Sequence, residues 1–235
     1  YDFNYDENPE YYRTNVVGTQ NILDMCKDLN IERFMFSSSV AACEFPSEGH
    51  SIDEESPADA KYAYARTKSE AEQLVKEYSQ YFKASVFRFA AVFSDWCEYG
   101  PLYVFLNTWL SRNWKNRIIG GKGESAITYI HINCLINFIL KVISKSQQLP
   151  SFDTFIVSPY EPVSHNELFK LATKYYYGRA RKPIHLPKYI SLIGVTVMDN
   201  LGKLIGKRPF EKPWMIQYID KKLYSQLTAL GFRRS

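Results

Sequence analysis

The 235-residue sequence has few cysteines, no CxxC pair and no apolar run long enough to span a membrane. Four cysteines in a chain of this length exclude a disulfide scaffold, and without a CxxC pair we predict no metal site. The longest apolar candidate, Tyr189 to Met198, falls short of the roughly 18–20 residues that a transmembrane helix needs. Cys26, Cys97 and Cys134 lie in apolar stretches, so we expect buried, reduced thiols in a cytoplasmic protein.

The sequence also lacks a glycine-rich phosphate-binding turn. Its 11 glycines are scattered, and their only cluster, Gly120-Gly121-Lys122-Gly123, does not have GxxGxxG spacing. That spacing lets the backbone approach a pyrophosphate at a helix N-terminus. The dinucleotide-binding fingerprint is therefore absent from the sequence, which starts at Tyr1 without an opening apolar strand.

The charge is divided unevenly along the chain. Residues 1–117 carry 12 Lys and Arg against 18 Asp and Glu, whereas residues 118–235 carry 17 against 7. The basic half is either solvated surface or a region that meets an anion, such as a diphosphate or a membrane face. The basic residues are scattered and no binding motif accompanies them, so we expect no nucleic-acid partner.

Hydrophobic periodicity predicts alternating helices and strands. Helices are predicted over 9–30, 64–82, 102–113, 133–144, 165–177, 188–206 and 221–230, and strands over 31–37, 84–92, 126–132 and 152–157. The strand–helix–strand order from 31 to 92 predicts a parallel crossover, and with it an α/β protein.

The segment Tyr64-Ala65-Arg66-Thr67-Lys68 is the most informative for chemistry. Residues four apart share a helix face, so the Tyr64 phenol and the Lys68 ammonium lie on one side. A nearby ammonium favours the phenolate and lowers the pKa of the tyrosine, which then can take a proton from an alcohol. The competing interpretation is that Tyr64 is a core tyrosine and Lys68 a surface lysine. Tyr62 has an arginine, Arg66, four residues later instead of a lysine, so it serves as a comparison for Tyr64.

Three serines, Ser37-Ser38-Ser39, close the strand that precedes this helix. In open α/β sheets, ligands bind beyond the carboxyl ends of the strands. A hydroxyl group there can hydrogen-bond a substrate alcohol, and Ser39 precedes Tyr64 by 25 residues.

Together these segments resemble the extended short-chain dehydrogenase/reductase family, which includes nucleotide-sugar 4-epimerases. Four further segments resemble family motifs in the same order: Thr14 to Thr19 (TNVVGT), Phe87 to Phe93 (FRFAAVF), Ile130 to Asn133 (IHIN) and Leu223 to Phe232 (LYSQLTALGF). The resemblance covers most of the chain.

The resemblance implies a Rossmann-like, doubly wound parallel sheet with a smaller mixed α/β substrate domain. It places residues 1–98 and 125–150 in the Rossmann-like domain and 99–124 and 151–235 in the substrate domain. Because the glycine-rich turn is absent, roughly the first third of a usual family member is expected to be missing. We therefore expect the 235 residues alone to bind the cofactor, NAD or NADP, weakly and to be inactive.

The family's site residues carry over to matching positions. Tyr64 is implied as general acid/base, Lys68 as the residue that tunes it and bonds the nicotinamide ribose, and Ser39 as the residue that orients the substrate hydroxyl. The resemblance also implies cofactor contacts for Thr14, Ser37 and Ala90.

Two departures from the family pattern restrict the reaction. Val40 and Ala41 stand where the related dehydratases carry an Asp-Glu pair, so dehydration is not expected. Ala91 replaces an asparagine that meets the substrate diphosphate in many relatives, which leaves the substrate open. The leading hypothesis is an epimerase or dehydrogenase acting on a secondary alcohol, with a sugar nucleotide as the first substrate class.

Two other interpretations stay open. One is a reductase of a hydrophobic, steroid- or lipid-like alcohol, because the apolar stretch 189–198 could line a greasy pocket or touch a membrane; an ordinary buried helix is the competing explanation. The other is a non-catalytic interaction module that pairs through an exposed parallel sheet edge. The resemblance also implies a homodimer through a four-helix interface that includes the Tyr64 helix.

Overall fold

The computed structural model describes residues 8–47 and 50–225. Its helices are α1 (Pro9–Tyr12), α2 (Gly18–Lys27), α3 (Ala63–Tyr78), α4 (Gly100–Trp109), α5 (Ile132–Ser144), α6 (His165–Tyr177) and α7 (Lys188–Leu204). A π-helical segment, Arg13–Val17, joins α1 to α2, and 3-10 turns cover Val40–Ala42, Ser146–Gln148 and Pro213–Tyr218. The strands are β1 (Arg33–Ser39), β2 (Lys83–Phe89), β3 (Ala91–Phe93), β4 (Ile118–Gly120), β5 (Ala126–Ile127), β6 (Tyr129–His131), β7 (Phe152–Val157), β8 (Val163–Ser164) and β9 (Ile184–Leu186).

The described chain divides into two compact units, and the first contains a parallel sheet. This unit comprises residues 8–94 and 128–161, with residues 224 and 225. The strands run in the order β1-β2-β7, and the register pairs Ser39 with Phe89 and Phe89 with Val157. The carboxyl ends of the three strands therefore lie at one edge of the sheet.

Helices cover both faces of this sheet. On one face, α2 and α3 pack over β1 and β2 through the buried residues Leu23, Phe36, Ala71, Val75, Tyr78, Phe82, Ala84 and Val86. On the other face, α5 packs through Phe87, Ile130, Leu135, Phe138, Val142, Phe155 and Val157. Successive residues of β2, such as Val86 and Phe87, point to opposite faces, as a strand between two helical layers requires. This arrangement confirms the predicted Rossmann-like, doubly wound fold.

The second unit comprises residues 95–127 and 162–223. Its small core joins α4 to α6 through Trp109, Ile119 and Phe169. Strand β4 pairs in parallel with β9, and β5 pairs antiparallel with β8. Helix α6 begins as predicted at His165, and the Ser164 hydroxyl oxygen before it accepts the Glu167 amide in a complete capping box.

The division into units differs from the predicted domain boundaries at residue 150. The prediction from the sequence places 151–235 in the substrate domain, but β7 pairs with β2 in the first unit's sheet. Residues 125–127 in turn belong to the second unit. The predicted strand 84–92 is interrupted at Ala90, whose amide donates to the Val157 carbonyl at 3.1 Å. Of the predicted helix 221–230, the described residues 221–225 are not helical and the rest lies outside the described residues.

All four cysteines are free thiols, but their burial is not as predicted. Cys43, which lies outside the apolar stretches, is the buried one, whereas Cys26 and Cys97 are half-buried and Cys134 is exposed. Burial raises the pKa of the Cys43 thiol to about 11. Within residues 8–47 and 50–225, no helix is long and apolar enough to cross a membrane.

Candidate active site

Helix α3 places Lys68 at the carboxyl end of β1. The Lys68 ammonium donates a hydrogen bond to the Ser37 carbonyl oxygen, with the two atoms 2.8 Å apart. Its nitrogen lies 5.0 Å from the centre of the Phe36 ring and 5.9 Å from the centre of the Tyr64 ring. The four-residue spacing thus puts both side chains on the helix face turned to the end of the strand, as predicted.

The Ser39 hydroxyl lies beside the Tyr64 phenol and acts to lower its pKa. Ser39 ends β1 and caps the 3-10 turn Val40–Ala42, because its hydroxyl oxygen accepts the Ala41 amide at 3.1 Å. The cap positions the serine side chain, and the start of α3 positions the tyrosine. The structure therefore brings together Ser39, Tyr64 and Lys68, the three residues predicted to act on a substrate.

Burial controls the charge states of the pair on α3. It raises the pKa of the Tyr64 phenol above its usual value, and the Ser39 hydroxyl opposes this rise. Burial also lowers the pKa of Lys68, while the Glu72 carboxylate opposes that change. The net shift of the Tyr64 pKa is therefore opposite to the predicted lowering, because desolvation of the phenol is its largest cause.

Tyr62 has a different environment from Tyr64. Its hydroxyl donates to the Ala41 carbonyl oxygen at 2.7 Å, which ties the residue before α3 to the turn after β1. Arg66, which lies four residues after Tyr62, donates a hydrogen bond to the Lys61 carbonyl oxygen at 2.6 Å. These contacts give the second tyrosine a structural role and separate it from the predicted catalytic one.

The π-helical segment carries Thr14 and Asn15. The Asn15 amide nitrogen donates to the Thr67 hydroxyl at 3.0 Å, and that hydroxyl donates to the Tyr64 carbonyl oxygen at 3.0 Å. Asn15 thus links the π-helical segment to α3. Thr14 itself is exposed on this segment. Such π-helical turns often occur at functional sites.

Of the other two predicted cofactor contacts, one is exposed and one is buried. Ser37 is exposed at the end of β1, while its carbonyl oxygen holds Lys68. Ala90 is 8% exposed and directly follows Phe89, the last residue of β2. The backbone positions thus place Ser37 and Ala90 at the edge where α/β folds bind ligands.

A buried ionic network behind the site is not among the features predicted from the sequence. Glu72 pairs with Arg88 at 2.8 Å and also accepts a hydrogen bond from the Ser38 hydroxyl. Both ionic side chains are nearly buried, and Arg88 also donates to the Ser56 carbonyl oxygen at 2.6 Å. Glu72 lies one turn after Lys68, and a lone arginine in an apolar strand is a signal that could have revealed this pair.

A second contact that the sequence did not predict is made by the ring of Tyr11, which lies edge-on to the ring of Tyr64 with the two centres 6.3 Å apart.

Known proteins share this arrangement of elements. The N-acetyl-alpha-D-glucosaminyl-diphospho-ditrans,octacis-undecaprenol 4-epimerase of Escherichia coli O157:H7 is 25% identical over 207 residues, which are 84% of this chain and 58% of that protein. The structure of Thermotoga maritima UDP-glucose 4-epimerase with UDP-glucose is 19% identical, with a TM-score of 0.66 over 92% of this chain and 62% of that one. The Thermus thermophilus UDP-glucose 4-epimerase complex with NAD is 16% identical, with a TM-score of 0.63 and the same coverage.

These solved structures establish the fold, and the chain spans 58% to 62% of the length of the proteins just named. The family follows from the sequence of the first unit. Residues 1–158 match the NAD dependent epimerase/dehydratase family, and they include β1, α3, β2 and β7 with Ser39, Tyr64 and Lys68. The chain belongs to the NAD dependent epimerase/dehydratase family.

Proposed function

We propose that this chain is the proton-transferring and sugar-binding part of an NAD-dependent 4-epimerase of diphosphate-linked sugars. The observation that carries the proposal is the placement of three side chains at the end of β1: Lys68 is anchored to the Ser37 carbonyl, its ammonium lies 5.9 Å from the centre of the Tyr64 ring, and the Ser39 hydroxyl lies beside the Tyr64 phenol. A fixed hydroxyl and a fixed phenol at the ligand-binding edge of the sheet are what proton removal from a secondary alcohol requires.

In this proposal Tyr64 is the general base and acid, and Ser39 holds the substrate oxygen. The buried Tyr64 phenol keeps its proton more tightly than a free tyrosine, so a positive charge must favour its ionised form. The Lys68 ammonium supplies one such charge along the same helix face, and the nearby Ser39 hydroxyl acts in the same direction. Tyr64 then takes the hydroxyl proton and returns it to the same oxygen.

NAD, when bound, supplies the hydride acceptor and donor for the carbon that carries this hydroxyl. The residues present fit its nicotinamide end. Ser37 and Thr14 offer exposed hydroxyls, and the Lys68 ammonium has three donors, of which the Ser37 carbonyl takes one. The sequence holds no GxxGxxG turn for the pyrophosphate end, and we accordingly expect residues 1–235 alone to bind NAD weakly.

The absence of carboxylates beside Ser39 favours epimerisation over water loss. Val40 is buried and Ala41 donates its amide to the Ser39 hydroxyl oxygen, so the turn after β1 contributes no acid or base. Ala91, at the end of the site, has no side-chain amide for a diphosphate. We therefore propose a sugar joined to a diphosphate as the substrate class, with a sugar nucleotide as its first member.

A second candidate substrate is a sugar joined to a polyprenyl diphosphate. The observation that favours it is the exposed aliphatic surface of α7, where Ile193 is 63% and Leu204 is 83% exposed. The name of the Escherichia coli relative describes a sugar joined to an undecaprenol diphosphate, whereas the Thermotoga maritima structure contains UDP-glucose. Both substrates present the same kind of secondary hydroxyl to Tyr64.

The test is made on the full-length protein with NAD and one sugar substrate at a time: UDP-glucose, UDP-N-acetylglucosamine or N-acetylglucosaminyl-diphospho-undecaprenol. An epimerase forms the C4 epimer to equilibrium without accumulating reduced nicotinamide. A dehydrogenase instead accumulates reduced nicotinamide together with a ketone. Absence of any product with all three substrates would contradict the proposal, and the substrate that turns over fastest identifies the carrier.

We also propose that the protein forms a homodimer through α2 and α3. Three apolar side chains of α2 and the turn after it support this: Ile22, Met25 and Leu29 are each more than half exposed. Analytical ultracentrifugation should give a dimer that Met25→Glu converts to a monomer, and a monomeric wild type would contradict this interface.

A further inference from the structure

Helix α7 buries small and polar residues and exposes aliphatic ones. Ser191, Asp199 and Gly202 face the second unit, and Asp199 is only 3% exposed. The opposite face carries Ile193, Val197 and Leu204, which recur at helical spacing and are 63%, 52% and 83% exposed. Ordinary surface helices have the reverse arrangement, with charged residues outward.

The inward orientation of Asp199 is held by three cations. Arg208 and Lys212 contact its carboxylate at 2.9 and 3.3 Å, and Lys203 contacts it at 3.2 Å. Lys212 is itself buried and also donates to the Pro209 carbonyl oxygen at 2.7 Å. Because rotating the helix would break the contacts with Arg208 and Lys212, which lie outside α7, the aliphatic face stays outward.

Trp114 extends the same surface. Its side chain is 78% exposed, and the Lys115 ammonium lies 5.5 Å from its ring. The same ammonium contacts the Met198 sulfur of α7 at 3.3 Å, which places this tryptophan-lysine pair beside the helix. Tryptophan and lysine are the side chains that typically anchor proteins at the level of lipid headgroups.

The charge of the second unit is strongly positive. Residues 95–127 and 162–223 contain 16 Lys and Arg against seven Asp and Glu. Lys203 and Lys207 stand at the C-terminal end of α7 and are both exposed. If two copies of the protein paired through this face, two positively charged units would repel each other. An anionic surface would instead attract each unit.

We propose that the outward face of α7, together with Trp114 and the adjacent lysines, binds the surface of a bilayer that contains anionic lipids. The helix lies in the plane of the interface, with Ile193, Val197 and Leu204 among the acyl chains and Lys203 and Lys207 at the lipid phosphates. The inward Asp199 excludes a spanning orientation. This inference concerns the second unit and does not depend on the reaction proposed above.

The test is flotation of the protein with vesicles of phosphatidylcholine containing 30% phosphatidylglycerol, against vesicles of phosphatidylcholine alone. We expect binding to the anionic vesicles to be at least about tenfold stronger, and to fall when salt is raised to about 0.5 M. Ile193→Gln with Leu204→Gln should weaken binding to the anionic vesicles by about tenfold or more, because two buried aliphatic side chains are lost. Lys207→Gln should weaken it by about fivefold.

Leu171→Gln is the matched control, since Leu171 is 61% exposed on α6 of the same unit. It should leave vesicle binding unchanged, and all variants should keep the wild-type melting temperature because the altered side chains are exposed. Absence of wild-type binding to anionic vesicles, or equal binding by the Ile193→Gln, Leu204→Gln variant, would overturn the inference. A dimer that this double variant dissociates, without vesicle binding, would assign the face to a second copy and overturn it too.

Discussion

Helices α3 and α7 turn opposite kinds of residue toward the core of their units. On α3, Ala71 and Val75 are fully buried in the first unit's apolar core, and the outer face is charged. On α7, Val197 and Leu204 are exposed, while Asp199 is buried among cations. Each helix also carries one buried carboxylate, Glu72 on α3 and Asp199 on α7.

The difference separates two uses of a helix. On α3 the aliphatic face stabilises the fold, so the polar residues at its N-terminal end are held rigidly where a reaction needs them. On α7 the ion pairs fix the orientation, and the aliphatic face is available to a partner. Substitutions at matched positions show whether the two helices behave as differently as their burial implies.

The largest expected difference is between equivalent substitutions of two valines. Val75→Asp places a carboxylate at a site that is 0% exposed and should destabilise the first unit by about 4 kcal/mol or more. Val197→Asp, at a site that is 52% exposed, should change stability by less than about 0.5 kcal/mol. Urea unfolding of both variants measures the difference, and similar losses would show that α7 is packed in the protein.

The two buried carboxylates should differ in how far they depend on one cation. Arg88→Met leaves Glu72 buried without its cation and should destabilise the protein by about 3–5 kcal/mol. Lys203→Met leaves Asp199 with Arg208 and Lys212, so its cost should stay below about 1 kcal/mol. The double variant Arg88→Met, Glu72→Leu should recover much of the first loss; if it does not, packing rather than charge explains the effect.

A smaller difference concerns pH, through His165 in the second unit. Its ring packs against Phe105 and Trp109, and burial lowers its pKa from 6.5 to about 4. The unfolded chain therefore binds a proton that the folded unit does not, and stability is lost as the pH falls from about 6.5 toward 4. Between pH 6.5 and 5.5 the loss should be about 1 kcal/mol, measured as a lower urea midpoint of the second unit. His165→Phe should remove this component, and an unchanged slope in that variant would assign it to other groups.

Local patterns in the sequence predicted the elements that depend on neighbouring residues. The predictions of helix α6, strand β7 and the shared face of Tyr64 and Lys68 all agree with the structure, because each is determined within a few residues. The Ser39–Tyr64 contact was also expected, but from the family resemblance and the general position of ligands in α/β sheets.

Long-range contacts account for what the sequence did not show. The partner of Glu72 lies 16 residues away on β2, and β7 joins the first unit through pairing with a strand more than 60 residues earlier. The orientation of α7 depends on Arg208 and Lys212 meeting Asp199, which no periodicity along the helix reveals. An apolar segment alone therefore could not distinguish a buried helix from an exposed one.

The comparison of Tyr64 with Tyr62 tests the central claim most directly. In the full-length protein, epimer formation at saturating substrate is measured for Tyr64→Phe and Tyr62→Phe, together with NAD affinity. Loss of the proton-transferring phenol should lower turnover by about 10²- to 10⁴-fold with little change in NAD affinity. Tyr62→Phe loses a hydrogen bond to the Ala41 carbonyl and should keep turnover within a few-fold. Near wild-type turnover in Tyr64→Phe would contradict the account.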